Sequence, residues 1–233
     1  MGQEPSVVWA RPERGTRGPA AVHSRRELTA VAVELADGGG LSAVSMRHVA
    51  KALGTGQASL YRYVAGREDL LDLMADAATG EVDLGVPLDG DPVADLAALA
   101  ARTRAVHLRH PWLSEMPPDA LRLGPRSLDY LEYALRAMAA VRLPGGTKTE
   151  IVALMNALVT QFARVELQSR LVDSDRRTAQ IAYLSQVAAQ GDHPRLAAAM
   201  ADRTAPEPAD SPEALFEHTM RRVLTGLLPP GPA

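Results

Sequence analysis

Residues 45–70, SMRHVAKALGTGQASLYRYVAGREDL, concentrate side chains suited to reading a surface rather than to breaking bonds. Gln57, Ser59, Tyr61, Arg62 and Tyr63 share one side of a short segment whose other side holds Leu60 and Val64 at i, i+4 spacing. A helix this short is not stable alone. Leu60 and Val64 must anchor it from behind and leave the polar side free. Hydrogen-bonding groups, an arginine and two tyrosines on such a face suit a DNA major groove. Ahead of it, Val49, Ala50 and Leu53 give a first helix one apolar side. Gly54 and Gly56 bracket the break between the two helices, where reversal needs conformations that glycine adopts cheaply.

Other chemistry is sparse. His107 and His110 have the i, i+3 spacing of two metal ligands on a helix. No third ligand lies near them in sequence, so the expectation is no metal, with one ring packed and the other ending a helix beside Pro111. Aromatic residues make up only 4% of the chain, which singles out Trp112, Tyr130, Tyr133, Asn156, Gln161 and Phe162 as inward aromatic and polar candidates for a small-molecule pocket. His107 and His110 join that set, and ordinary packing competes with the pocket reading at each position. Gly54-Thr55-Gly56 begins like a dinucleotide fingerprint, but no strand precedes it and Ser59 stands where the third glycine belongs. No nucleophile elbow, paired zinc-ligand helix or phosphate loop occurs, and the absence of cysteine removes disulfides, thiol catalysis and thiolate zinc sites. Neither catalysis nor a cofactor is expected.

The elements that must carry these residues read as helices. With 46% apolar residues and so few aromatics, the core is built from Ala, Leu, Val and Met, which favours packed helices over sheets. Ser24-x-x-Glu27 is a capping box that starts a first helix through Leu28, Val31, Ala32 and Leu35, ended by Gly38-Gly39-Gly40. Ser45 caps a second helix, residues 57–64 form a third, and a fourth carries Leu70, Leu71, Leu73, Met74 and Ala77 to about Val82. Asp91-Pro92 starts a helix that Pro111 stops, and a short turn over 112–116 follows. Gly124-Pro125 starts the next, with Leu128, Leu131, Leu135 and Met138 on one face and Pro144-Gly145-Gly146 at its end. Thr147-x-x-Glu150 is a second capping box, opening a helix with Ile151, Leu154, Met155, Leu158, Phe162 and Val165 as its stripe. Residues 173–190 predict a more polar helix with Ile181, Leu184 and Val187 inward, 195–200 a short one, and Ser211-Pro212 caps a last helix carrying Leu215, Phe216, Met220, Val223, Leu224 and Leu227. No strand pattern or internal repeat is present.

Net charge is −3, but residues 1–70 hold nine Lys/Arg against seven Asp/Glu, and the remainder sixteen against twenty-one. Positive charge thus gathers at the end that holds the groove-suited segment. The N-terminus has no apolar core of a signal peptide, and no apolar run approaches a membrane span, so a cytoplasmic location and no membrane partner are expected. Residues 1–22, with three Pro, three Gly and three Arg, read as disordered. They form either a solvated tail or a basic arm in which Arg11, Arg14 and Arg17 touch DNA.

Ser45, Arg47, Val49, Ala50, Gly54, Leu60, Tyr61, Tyr63, Val64, Arg67 and Leu70 together resemble the DNA-binding domain of tetracycline-repressor (TetR/AcrR) family regulators, over roughly residues 24–70. Ser45 replaces the usual Thr, and Arg67 the usual Lys. The resemblance implies that Gln57, Ala58, Ser59 and Tyr61 form the groove face of a recognition helix. Gln57 would pair with adenine and Ala58 would meet a thymine methyl. Arg47, Arg62, Tyr63 and Arg67 would grip phosphate, with Arg62 near enough to read guanine instead. It further implies an all-α chain in three parts: an arm over 1–22, a helix-turn-helix domain over 23–70, and a regulatory and dimerisation domain over 71–228. The expected protein is a homodimeric repressor on a double-stranded, palindromic operator, released by a small-molecule effector and dimerised through the 147–170 helix and the last helix. The drug–magnesium site of tetracycline repressors proper is not carried over, because its ligand set is not matched. A ligand-independent DNA binder and a helical enzyme bearing a DNA-binding domain are the rival readings.

Overall fold

Ser24 opens the first helix as the sequence predicts. Its hydroxyl accepts the Glu27 N–H at 3.2 Å while the Glu27 carboxylate accepts the Ser24 N–H at 2.8 Å. The computed structural model describes residues 7–11, 23–116, 122–170, 174–202 and 211–229. Arg14 and Arg17 lie outside the described residues. Among these residues the chain is all-helical, without strands.

Helix α1 (Arg25–Gly39) is followed by a 3-10 turn (Leu41–Ala43) and by α2 (Met46–Ala52), whose Ser45 cap accepts the His48 N–H at 3.2 Å. Helix α2 ends in a Schellman arrangement: Thr55 N–H bonds the Ala50 carbonyl and Gly54 N–H the Lys51 carbonyl. That arrangement needs the left-handed φ of +66° which Gly54 adopts. Helix α3 (Gln57–Leu60) is shorter than the predicted 57–64. Residues 61–63 continue as a tighter turn, with Tyr63 N–H on the Leu60 carbonyl at 2.9 Å. The chain must turn there, because the Ala65 N–H is taken by the Asp69 carboxylate at the start of α4 (Arg67–Thr79). Helix α4 stops before Val82, which is buried in the turn that follows.

The N-terminal residues correct the expectation of disorder in part. Val8, in a 3-10 turn (Val8–Ala10), is fully buried, and Arg11 forms an ion pair with Asp69. Arg25 joins this strap to the reading segment by donating to the Arg11 and Tyr63 carbonyls, both at 2.9 Å.

Helix α5 (Pro92–Arg109) begins on Asp91, whose side chain accepts from the Val93 and Ala94 N–H groups. A 3-10 turn (Pro111–Glu115) and α6 (Pro125–Ala137) follow. Helix α6 buries Tyr130, Tyr133, Ala134 and Ala137; of the predicted stripe, Met138 is fully buried and Leu131 and Leu135 pack partly buried against the core, while Leu128 faces out. Helix α7 (Gly145–Ser169) starts one turn before the expected capping box, with Pro144 at its N-cap and the Thr149 hydroxyl turned back to the Gly146 carbonyl. Its buried side is Ile151, Val152, Met155, Val159 and Ala163, and Leu154 and Val165 are about half exposed, at 51% and 52%. Helices α8 (Ser174–Ala189) and α9 (Pro194–Asp202) pack on each other, leaving Ile181 and Leu184 exposed rather than inward. Helix α10 (Pro212–Leu227), capped by Ser211, buries Phe216, Met220 and Leu224 against α5 and α7.

Helices α5, α7 and α10 form the centre of the C-terminal part. There Arg104 pairs with Glu166 and lies over the Phe216 ring, which meets Phe162 edge-on at 5.4 Å. Helix α4 packs on both α1 and α6, and the buried residues of the two parts make one continuous core. The α4 helix therefore ties α1, on which α2 packs, to the helices behind it.

Candidate DNA interface and ligand cavity

The α2–α3 unit presents the candidate reading face. Leu60, Tyr63 and Val64 are buried behind it, and Arg47, Gln57, Ala58, Tyr61 and Arg62 are exposed. Among the described residues the Arg47 and Arg62 side chains form no ion pair or hydrogen bond, which leaves both guanidinium groups available to phosphate or a base edge. Gln57 lies 3.5 Å from the Tyr61 hydroxyl, an i, i+4 contact that aligns the two side chains. The Ser59 hydroxyl is half-buried and spent locally, donating to the Gly56 carbonyl at 2.7 Å and meeting the Thr55 hydroxyl at 2.8 Å. Tyr63 corrects the sequence reading: its ring is 5% exposed and its hydroxyl accepts the His23 N–H at 3.2 Å, so it props the face instead of belonging to it. Arg67 is exposed but donates to the Leu41 carbonyl at 3.3 Å.

A cavity of about 510 Å³ lies between α4, α5, α6 and α7. Of the eight sequence candidates, His107, Tyr130 and Asn156 line it. The other five are elsewhere. Trp112 is fully buried and donates its indole N–H to Asp37 at 2.7 Å. His110 sits between two carboxylates, Nδ1 at 2.7 Å from Asp37 and Nε2 at 3.1 Å from Glu81. Tyr133 donates to the Val86 carbonyl at 2.9 Å and accepts from Arg102. Gln161 is exposed and bonded to Arg164, and Phe162 packs on Phe216.

Sequence reasoning missed Thr103, Val106, Leu113, Ser127, Leu131 and Val152, which complete much of the lining. The usable signal was Thr103 one helical turn before His107, which puts both on one face of α5. Thr103, Tyr130 and Asn156 form a chain: the Tyr130 hydroxyl donates to the Asn156 carbonyl oxygen at 2.7 Å, and the Thr103 hydroxyl lies 3.2 Å from Tyr130. Burial pushes the Tyr130 phenol up to about 12, against the opposing pull of its hydrogen bonds to Thr103 and Asn156. Burial, and then the charge of His110, push the His107 ring down to about 4, so it is neutral at pH 7. Arg122, at the rim, is paired with Glu68 at 2.9 Å and with Asp72.

The described residues of the connection between α5 and α6 line the cavity and also bond α1, the turn after it and α4. Leu113 and Arg122, with Ser127 in the first turn of α6, line the cavity. On the other side His110 and Trp112 bond Asp37 of α1, and Glu115 accepts the Leu41 N–H at 3.0 Å. Arg122 pairs with Glu68 and Asp72 of α4, and Asp76 of α4 accepts from the Ser127 N–H at 2.9 Å. Gly124 permits this closeness, since a Cβ there would stand 2.3 Å from the Asp76 carboxylate and 2.5 Å from the Trp9 ring. Among the described residues no group of three His, Asp or Glu gathers as metal ligands, and no helix is long and apolar enough to cross a membrane.

Residues 28–74 match the family model described as bacterial regulatory proteins, tetR family, and residues 85–229 match the tetracyclin repressor-like C-terminal domain. The chain is 33% identical over 235 residues to the HTH-type transcriptional repressor DrrR1 of Streptomyces coeruleorubidus, spanning 95% of this chain and 83% of that protein. An HTH-type transcriptional regulator of Saccharopolyspora erythraea is 30% identical over 197 residues, 83% of this chain and 81% of that one. Among solved structures, the protein ActR of Streptomyces coelicolor in complex with (S)-DNPA superposes with a TM-score of 0.73 and 26% identity, covering 89% of this chain and 98% of that one. Its complex with actinorhodin gives a TM-score of 0.72 at 25% identity, covering 89% and 96%.

Proposed function

This chain belongs to the tetR family of bacterial regulatory proteins and is a DNA-binding transcriptional regulator; we propose that it is a cytoplasmic, homodimeric repressor that leaves a palindromic operator when a small molecule fills the helical cavity. The observation that carries the reading is the α2–α3 unit. Five exposed side chains of groove-reading and phosphate-gripping type stand on a face backed by fully packed apolar residues. Two such faces in a dimer would enter successive major grooves about one helical turn, ~34–36 Å, apart. The half-exposed apolar residues Leu154 and Val165 of α7 support pairing with a second copy.

Repression is supported by the likeness to DrrR1, a repressor. Release by a ligand is supported by the cavity and by the ActR structures, which hold (S)-DNPA and actinorhodin. The physical route is the α5–α6 connection, which touches both the cavity and α1 and α4. A ligand that favours a differently spaced dimer draws the two faces out of register. Shifting such an equilibrium from 1:99 to 99:1 takes ~5.5 kcal/mol of differential binding.

Selection of bound DNA from a random pool tests the first half of the reading. An inverted repeat should emerge, Gln57→Ala should relax one base position at a cost of ~1–3 kcal/mol, and Arg47→Ala should weaken all sequences alike. Enrichment of no motif at moderate salt would sink it. Titrating the selected operator complex with actinorhodin and with other small molecules tests the second half.

A further inference from the structure

We propose that residues 8–11 form a strap that sets the pose of the reading segment, with Arg11 as a positioning residue for DNA binding rather than a phosphate contact. The inference rests on the reading of the α2–α3 unit as the DNA interface, and it adds residues outside the two stretches that match the family models, 28–74 and 85–229. The sequence left Arg11 between a solvated tail and an arm that touches DNA, and the strap is neither. It is anchored in the core. Val8 is 0% exposed in the same buried cluster as Leu70, Leu71 and Met74, and the turn packs on α4. Trp9 is partly buried and reaches the backbone ahead of α6, where a Cβ on Gly124 would meet its ring at 2.5 Å. The Ala10 N–H closes the turn on the Val7 carbonyl at 3.1 Å. Residues held in this way have given up the freedom that a solvated terminus keeps.

From this anchored turn the Arg11 guanidinium pairs with Asp69, in the first turn of α4. The same carboxylate oxygen accepts the Ala65 N–H, where the reading segment ends. The Arg11 carbonyl accepts from Arg25 of α1, which also donates to the Tyr63 carbonyl, both at 2.9 Å. The strap thus reaches the end of the reading segment twice, through Asp69 to Ala65 and through Arg25 to Tyr63. Tyr61 and Arg62, exposed on the reading face, immediately precede Tyr63, so a shift of residues 63–65 re-aims them. The four-residue α3 has no length of its own to resist such a shift. Drawing Arg11 to a phosphate would strip the Asp69 carboxylate, only 15% exposed, of its cation, which disfavours a direct DNA contact. The Asp69 contact is the only hydrogen bond of the Arg11 side chain among the described residues, so a substitution there cuts this tie and leaves the Val8 anchor and the Arg25 bonds in place.

The test compares the full-length wild type, Arg11→Met and Arg11→Lys in two measurements. The first is affinity for the selected operator, by fluorescence anisotropy of labelled DNA at salt concentrations from ~50 to ~200 mM. Arg11→Met should bind about fivefold more weakly, the loss expected for a hydrogen bond to a charged group that orients the face. The slope of log affinity against log salt should keep its wild-type value, and Arg11→Lys, which keeps a charge for Asp69, should recover most of the affinity. A phosphate-gripping Arg11 would instead lower that slope by about one. The second measurement needs no DNA: in Arg11→Met the Ala65 amide ¹H–¹⁵N signal should shift and its hydrogen exchange rise about threefold, and Arg11→Lys should resemble the wild type. Urea unfolding checks that each variant is folded in the assay. Should Arg11→Met fold poorly, Asp69→Asn, which keeps an acceptor for Ala65 and removes the charge, takes its place with the same expected loss and the same unchanged slope. Unchanged affinity, a slope lower by about one, no recovery with lysine, or an unmoved Ala65 signal overturns the assignment. The two readings part cleanly. If no operator is selected, the DNA interface falls and the amide still decides whether Arg11 holds the segment; if the operator binds and Arg11→Met changes neither measurement, only the strap falls.

Discussion

Asp37→Ala tests whether the reading segment and the cavity helices are held as one body. Asp37, in the last turn of α1, accepts from the Trp112 indole and the His110 ring, each at 2.7 Å. Trp112 is fully buried, so removing the carboxylate leaves its N–H without water or partner. An orphaned buried donor costs ~1–3 kcal/mol, and a lost bond to a charged group ~1.5–3 kcal/mol. His110 keeps Glu81 at 3.1 Å, and about a third of the Asp37 side chain is exposed, which discounts the second term. The expected loss is ~2–4 kcal/mol, a large share of a typical domain's ~5–15 kcal/mol. Urea unfolding of the wild type, Asp37→Ala, Trp112→Phe and the double variant gives the coupling, expected at ~1–2 kcal/mol for residues that share a hydrogen bond. The indole ¹H–¹⁵N signal provides an independent reading. The chain has two tryptophans, and Trp9 is itself partly buried near Gly124, so the measurement needs a Trp9→Phe background. A loss under ~0.5 kcal/mol, or strict additivity with an unshifted indole signal, would refute the joint as a structural tie.

Two other outcomes follow from burial and charge. Leu154→Asp with Val165→Asp should yield a folded monomer by sedimentation that no longer holds a palindromic site, whereas Leu224→Asp should unfold the protomer, because Leu224 is 0% exposed inside it; a dimer that survives the α7 pair places the interface elsewhere. The depressed His107 pKa, about 4 against 6.5 in the unfolded chain, means that the unfolded state binds more protons between those values, so stability is complete above pH 6.5 and falls as pH drops toward 4, by up to ~3 kcal/mol; His107→Leu should flatten that part of the curve, and an unchanged acid limb would show that the ring is not the group responsible.

The elements that were legible are those fixed by neighbours in the chain. The Ser24, Asp91 and Ser211 caps each satisfy N–H groups two or three residues on, and Gly54 closes α2 with carbonyls of the same helix. Such bonds are written in four- to six-residue words. The misreadings have long-range causes. The end of α3 depends on Asp69 taking the Ala65 N–H, and the Tyr63 ring is drawn inward by His23 and by packing that no local spacing encodes. On α6 the leucines and the tyrosines are both spaced as helical stripes. Tyr130 and Tyr133 are buried beside Leu131, Leu135 and Met138 because Asn156 and the Val86 carbonyl accept their hydroxyl protons, making an otherwise expensive burial tolerable, and only Leu128 is left outside. Val8 is buried by a strap whose anchor, Asp69, is 58 residues from Arg11.

The candidate sites divide along the same line. A reading face needs only a short helix, a turn and an apolar anchor, so spacing placed Gln57, Tyr61 and Arg62 on the surface, whereas Arg47 and Ala58 came from the family resemblance and Tyr63, which spacing put on the same face, is buried. A cavity is defined by what four helices leave unfilled, and scarcity of aromatics was a poor guide to it. Trp112 and Phe162 are spent on joining and packing helices, and the cavity is walled mainly by aliphatic side chains that a sequence does not distinguish from core. His107, Tyr130 and Asn156 are the candidates that do line it, and all three carry polar atoms. Polar groups half-enclosed by apolar walls cost free energy unless something answers them. Tyr130 and Asn156 answer one another through a hydrogen bond between residues 26 apart in sequence, whereas His107 Nδ1 and Arg122 Nε are closed off by packing without a partner among the described residues.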